Sequence, residues 1–344
     1  MANVFSEEIN AHKSIYSKSG LMRRLNVKYS MPERGVNSET GVLVIVPGYG
    51  GNIDSNVYRH IREDFPDLYN CIVIQCAYFG SEYMQVVSEE IINRVKDEVM
   101  ESNSQLQCVV PMHETEDNMN DMGIMQAIDV ITATLHVLFN LQEDINTNKI
   151  IIFGTSHGAY IAHLANILCP GLYKYLLDIS GYIKPFYIDK PRLYRQGIVS
   201  EEDTKFCYFV FDYLIHREPN LRFKENLYDL KYLYGMVDNK CRILCYQGIE
   251  DWMVDYEEKQ QFMESISYSS FTLVTKEDID GAVFKNPNHG LGLDYILFLK
   301  IVLEDLNKSN IDRSNVIELD DVNIDNQIYI SYGNMYPSVD LENT

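Results

Sequence analysis

Continuous apolar runs punctuate the chain at Gly41 to Val46, Cys71 to Ala77, Ile150 to Phe153, Tyr175 to Ile179, Cys241 to Gly248 and Ser270 to Thr275. Short runs rich in β-branched residues predict strands buried on both faces, as in a parallel sheet. Between them the period changes. Ile124, Ile128, Ile131, Leu135 and Leu138 recur at spacings of four, three, four and three, predicting a helix from Asn120 onward. Further helices are predicted from Asp54 or Ser55 as N-cap to about Glu63, and through Ile161, Leu164, Ala165 and Leu168 up to Pro170-Gly171. Two more run through Glu258 and Phe262, and through Leu293, Ile296, Leu297, Ile301 and Leu306. Residues 1–40 hold short alternating segments such as Leu25 to Ser30, read as leading strands at a sheet edge. Strand and helix alternate, so the expected class is α/β, with a mostly parallel central sheet flanked by helices.

Two stretches break this rhythm. Residues 80–118 read as an insertion, with a helix near Ser88 to Val99 followed by a polar loop. That loop carries His113, Glu114, Glu116 and Asp117 in no recognisable ligand spacing, and is expected to be a solvated acidic loop. Residues 183–240 interleave tyrosine and phenylalanine with charge and lack apolar runs, which predicts a mainly helical cap insertion. Its aromatic residues either line a substrate pocket or pack the cap. The resulting division is a core of 1–182 and 241–309, a cap of 183–240, and an acidic C-terminal extension of 310–344.

Composition narrows the function classes. The 344 residues carry a formal net charge of −21, which argues against nucleic acid and anionic membranes as partners, since both need clustered Lys and Arg. Seven cysteines, an odd number with several in apolar runs, read as reduced buried thiols, and no Cys-x-x-Cys pair suggests structural zinc. The polar start Met1 to Glu8 lacks a signal peptide's apolar core, and no stretch is apolar for the roughly 18 residues of a membrane span. A soluble cytoplasmic protein is expected.

The candidate chemistry begins at Gly154-Thr155-Ser156-His157-Gly158, set between the apolar run at 150 and a helical pattern. Gly-x-Ser-x-Gly in this setting predicts a nucleophile elbow: the serine sits on a strained strand-to-helix turn, and the glycines let neighbouring backbone approach. A serine hydroxyl needs a base, and the base needs an orienting carboxylate. Asp251, after the strand that follows the cap, and His289, after the last strand, supply them in the order Ser, acid, His. Gly248, Asp251 and Val254 fit Gly-x-x-Asp-x-x-Val, although Glu250 is a rival acid. His157 adjoins the nucleophile, where its backbone N–H matters more than its ring. Pro47-Gly48-Tyr49-Gly50-Gly51-Asn52 is neither a Walker loop nor a full dinucleotide motif. It stands where a second oxyanion donor belongs, or is a plain tight turn.

With these stretches the chain resembles an α/β-hydrolase, over roughly residues 40–182 and 241–307. The resemblance implies an oxyanion hole made by the backbone N–H groups of Tyr49 and His157. Pro47 stands where many members have histidine, which leaves the donor in that loop open. A looser likeness, in the elbow region, is to an uncharacterised group of bacterial hydrolase-like proteins associated with flagellin-glycosylation loci. That likeness implies a sugar-linked acyl group as substrate. The expected activity is a serine esterase or deacylase with Ser156, Asp251 and His289 as catalytic residues, acting on a small or glycan-linked ester. The alternatives are an acyltransferase with the same triad and a non-catalytic binding protein on the same fold. No cofactor or metal is expected.

Overall fold

The computed structural model describes residues 2–85, 87–101, 105–141, 145–199 and 204–308. The chain opens with the antiparallel pair β1 (Asn3–Ala11) and β2 (Arg23–Met31), followed by β3 (Gly41–Val46), α1 (Asn56–Tyr69) and β4 (Cys71–Cys76). Next come α2 (Glu89–Glu101), β5 (Leu106–Pro111), α3 (Ile124–Asn140), β6 (Ile150–Thr155), α4 (His157–Leu168) and β7 (Tyr175–Ile179). The insertion supplies β8 (Arg192–Val199), β9 (Thr204–Asp212), α5 (Leu214–Arg217) and α6 (Leu230–Tyr234). The core closes with β10 (Arg242–Gly248), α7 (Tyr256–Glu264), β11 (Ser269–Val274) and α8 (Tyr295–Lys308).

Eight strands form one sheet in the order β1-β2-β4-β3-β6-β7-β10-β11. From β4 to β11 every pair is parallel, and β2 joins β4 antiparallel at the edge. The apolar runs are continuous because these strands are covered on both faces. In β3, Val42, Val44 and Val46 pack into one core layer, while Leu43 and Ile45 pack into the other. The first layer lies under α3, α4 and α7, and the second under α1 and α8. Each of these fully buried branched side chains contributes roughly 1.5–3 kcal/mol through removal from water.

The insertion differs from expectation. Rather than mainly helical, residues 183–240 carry two strands of eight and nine residues beside short helices. β8 and β9 pair antiparallel from Arg192–Phe211 outward, and β9 pairs in parallel with β5 from the earlier insertion. Part of the loop expected after α2 is therefore β5. The physical reason is a two-residue period, in which Cys207, Phe209 and Phe211 are buried and the residues between them are only half-buried. The alternate positions are Tyr208 and Val210, apolar as well, so no apolar/polar alternation shows that period in the sequence. Its partner strand lies about a hundred residues earlier, as Cys108 and Cys207, 3.5 Å apart at sulfur, show.

The acidic loop also departs from its expectation at Glu114, which is buried. Its carboxylate accepts the Asn120 N–H at 2.6 Å and the Leu214 N–H, tying the two insertions together. The proposed extension 310–344 lies outside the described residues. All seven cysteines are free thiols. Among the described residues no helix is long and apolar enough to cross a membrane.

Candidate active site

Strand β6 is buried along its whole length and ends at Ser156, whose φ of 54° and ψ of −123° lie outside the regions an L-residue prefers. Such a backbone costs on the order of 1–3 kcal/mol and persists only where its surroundings hold it. Here the Ser156 N–H donates to Ile179 O at 2.8 Å, and α4 starts at the next residue. The flanking glycines are required by space. A Cβ on Gly154 would strike the Gly158 carbonyl, and one on Gly158 would strike the Val46 carbonyl. The turn thus presses α4 against β3 and lifts the serine hydroxyl above the C-terminal edge of the sheet.

Two other loops rise from that edge and meet it. Ser156 Oγ is 2.7 Å from His289 Nε2, and His289 Nδ1 is 2.8 Å from Asp251 Oδ2. The Asp251 side chain is fully buried. Besides the imidazole it accepts Gln247 Nε2 at 2.7 Å and the backbone N–H groups of Met253 and Val254 at 2.8 and 3.2 Å. Burial pushes its carboxyl up, but the His289 contact and these bonds outweigh that and hold it below the ordinary aspartate value. An ionised Asp251 fixes the imidazole proton on Nδ1, which leaves Nε2 as an acceptor for the serine hydroxyl. Glu250 points elsewhere and pairs with Lys276 at 2.6 Å on the surface. Between the two acids, geometry favours Asp251.

The histidine loop is pinned from both sides. Gly290 N–H donates to Ser180 Oγ at 3.0 Å, and Glu250 N–H donates to Pro287 O at 3.0 Å, coupling the loops after β7, β10 and β11.

His157 lies beside Ser156, but its ring turns away from the serine hydroxyl. Its ring is fully buried, 2.7 Å from Gln126 Oε1 and hydrogen-bonded to the Tyr187 hydroxyl. The Gln126 amide nitrogen donates to Phe79 O and Asn120 Oδ1, so its oxygen faces the imidazole. His157 therefore donates through Nε2 and accepts the Tyr187 hydroxyl at Nδ1. Burial pushes its pKa down to about 3, so it stays neutral. This ring fastens the elbow to α3 and to the second insertion. At the backbone, His157 opens α4, where a first-turn N–H has no intrahelical acceptor.

Tyr49 sits across the cleft on the turn after β3. Tyr78 donates its hydroxyl to Pro47 O at 2.7 Å, Gly50 N–H donates to Met84 O at 2.7 Å, and the Tyr49 and Tyr213 hydroxyls are 2.7 Å apart. Among the described residues no acceptor faces the Tyr49 N–H. A cleft of about 220 Å³ opens here, with Tyr49, Tyr58, Ser156, Arg192, Met253 and His289 on its walls. Among the described residues no group of three His, Cys, Asp or Glu side chains could hold a metal ion.

Two residues at this site had no signal in the sequence. Tyr182, just past β7, brings its hydroxyl to 3.1 Å from Ser156 Oγ. Arg192, at the start of β8, reaches in from the insertion. The aromatic density of 183–240 marked the neighbourhood, but no motif spacing singles out either residue.

Residues 80–189 match the model of a family described as a protein of unknown function (DUF2920), which is less than half of the chain. A comparison with curated proteins finds no match. Among solved structures, the peroxisomal alpha-beta-hydrolase Lpx1 from Saccharomyces cerevisiae is 11% identical, with a TM-score of 0.52 over 93% of this chain and 94% of that one. The acylaminoacyl peptidase of Pyrococcus horikoshii is also 11% identical, with a TM-score of 0.52 over 93% of this chain but only 44% of the peptidase. At such identity the likeness is one of fold. The chain has the α/β-hydrolase fold.

Proposed function

We propose that this chain is a serine hydrolase that cleaves carboxylic esters through an acyl-enzyme. One observation carries the reading: an unbroken chain of contacts from Ser156 Oγ through His289 to the buried Asp251, with the serine on a strained elbow. Ser156 Oγ attacks the acyl carbonyl while its proton passes to His289 Nε2. The imidazolium then gives that proton to the departing alkoxide, and Asp251 keeps the ring in the useful tautomer. Water, deprotonated by the same imidazole, releases the acid and regenerates the serine.

The negative charge that develops on the carbonyl oxygen would fall between the N–H groups of His157 and Tyr49, at the N-terminal end of α4. Neither step calls for a cofactor. The small, tyrosine-walled cleft suits a compact acyl group, and the looser family likeness makes a sugar-linked acyl ester the substrate to try first.

The test is labelling with a fluorophosphonate probe. Wild type should be labelled and Ser156→Ala should not, and hydrolysis of p-nitrophenyl esters should fall in parallel. Labelling that persists in Ser156→Ala, or a folded wild type that resists the probe and hydrolyses no ester, would overturn the reading.

A further inference from the structure

Arg192 is the feature of the cleft that ester hydrolysis leaves unused. It comes from β8 of the insertion and lines the same cleft as Ser156 and His289. Its Nε and Nη1 atoms are buried and have no hydrogen-bond partner. The ionisable groups that act on it most strongly are the phenols of Tyr187, Tyr182, Tyr49 and Tyr213, none of them a carboxylate. Its guanidinium carbon lies 3.6 Å from the centre of the Tyr49 ring and 5.3 Å from that of Tyr187, so two aromatic faces fix the plane of the fork.

This arrangement is costly to build without a ligand. An arginine withdrawn from water normally finds a carboxylate or spends its N–H groups on carbonyls, and unmet donors are rare in buried positions. The chain has 50 Asp and Glu residues against 29 Lys and Arg, so acidic partners are abundant. Among the described residues no carboxylate forms an ion pair with this cation. Aromatic stacking orients the guanidinium and the Tyr49 and Tyr182 hydroxyls bond it, but Nε and Nη1 are left without an acceptor, and this fork matches planar or tetrahedral oxyanions.

We propose that Arg192 is a specificity residue that binds an anionic group, a carboxylate or a phosphate, carried by the substrate beside the scissile acyl bond. This rests on the hydrolase reading for the word substrate, but the anion site itself does not depend on catalysis. An acidic protein with Arg192 at its cleft would repel anions generally and hold only those that reach this point. Neutral esters would then enter without their main anchor. The insertion would act as the carrier of selectivity, while the core carries the reaction.

The experiment has two arms. In the first, p-nitrophenyl butyrate and the mono-p-nitrophenyl ester of glutaric acid are compared as matched neutral and carboxylated substrates. Wild type should favour the carboxylated ester at least tenfold in kcat/KM. Arg192→Gln should lower kcat/KM for that ester at least tenfold more than for the neutral one, and Arg192→Lys should recover part of the difference. In the second arm, calorimetry follows glutarate and inorganic phosphate binding to Ser156→Ala and to the Ser156→Ala, Arg192→Gln double variant. Binding to the first and not the second supports the site, and the stronger anion tells a carboxylate from a phosphate ligand. Equal losses on both esters, or no binding of either anion to Ser156→Ala, would overturn the proposal even with fluorophosphonate labelling intact. Anion binding that depends on Arg192 in a protein that resists the probe would instead refute the hydrolase reading alone.

Discussion

The Tyr182 ring lies parallel to the His289 imidazole, with centroids 5.8 Å apart and planes within 10°. The same tyrosine sets its hydroxyl 3.1 Å from Ser156 Oγ, so one side chain touches both Ser156 and His289. Burial pushes the phenol pKa up, which keeps it neutral. Ser156 Oγ donates to the Tyr182 oxygen at rest and has His289 Nε2 within reach at 2.7 Å, so Tyr182 steadies the rotamer from which the proton passes to the imidazole. Tyr182→Phe keeps the stacked ring and removes only that bond. We expect kcat for p-nitrophenyl butyrate to fall roughly tenfold, the value of one hydrogen bond, with KM and Tm nearly unchanged. A variant with wild-type kcat would remove Tyr182 from the positioning machinery.

The neighbouring acids Glu250 and Asp251 give a paired test. Asp251 is buried against the imidazole, whereas Glu250 meets Lys276 in solvent. Asp251→Asn should lower kcat by about 10³–10⁴ by disfavouring the tautomer that leaves Nε2 free. Glu250→Gln should stay within about twofold, since exposed pairs contribute little. Steady-state hydrolysis by the two variants separates the roles, and a reversed order would reassign the acid.

Behind the site lies a buried cluster of charge. Asp178 sits 2.6 Å from Lys259 Nζ and 2.9 Å from His163 Nε2, with all three side chains excluded from water. Burial would raise the Asp178 carboxyl, but Lys259 first and then His163 hold it well below its ordinary value. Lys259 also donates to Gly181 O at 2.8 Å, and Asp178 accepts the Gly181 N–H at 2.8 Å. The cluster therefore holds the segment that carries Ser180 and Tyr182. Lys259→Met leaves a buried carboxylate short of its cation and should destabilise the fold by roughly 3–5 kcal/mol. Adding Asp178→Asn should restore part of that in urea unfolding. A stable single variant would show that the pair is dispensable.

Glu114 predicts a pH dependence of stability. Burial pushes its carboxyl up to about 7 from the ordinary glutamate value of 4.5, against the lowering effect of the Leu214 and Asn120 N–H groups. The folded chain thus holds this proton more tightly than the unfolded chain does. Its contribution to stability falls as pH rises through the window from about 4.5 to 7, and is level above it. Glu114→Gln does not titrate there. Between pH 5.5 and 8, wild type should lose roughly 2 kcal/mol of unfolding free energy relative to Glu114→Gln. Parallel urea-unfolding curves at the two pH values would contradict the burial argument.

The sequence by itself determined the central sheet and the chain order in which Ser156, Asp251 and His289 reach its edge. Runs such as Gly41 to Val46 and Ile150 to Phe153 are apolar throughout because both faces of those strands are covered, and that needs no knowledge of the partner strand. The elbow was legible because its glycines answer a local steric demand. Asp251 and His289 were legible because each follows a readable strand, so the sheet carries both to the edge where Ser156 stands. Tertiary structure alone decided the rest. β5 and β9 exist as strands only by pairing across about a hundred residues, and in β9 the apolar Tyr208 and Val210 between the buried positions hide the period from a local reading. The His157 ring, Tyr182 and Arg192 take their roles from groups brought in by other segments: Gln126 and Tyr187 for the first, His289 for the second, Tyr49 for the third. Local pattern records how deeply a residue is buried. What it is buried against depends on long-range packing, and in this chain that packing builds the cleft.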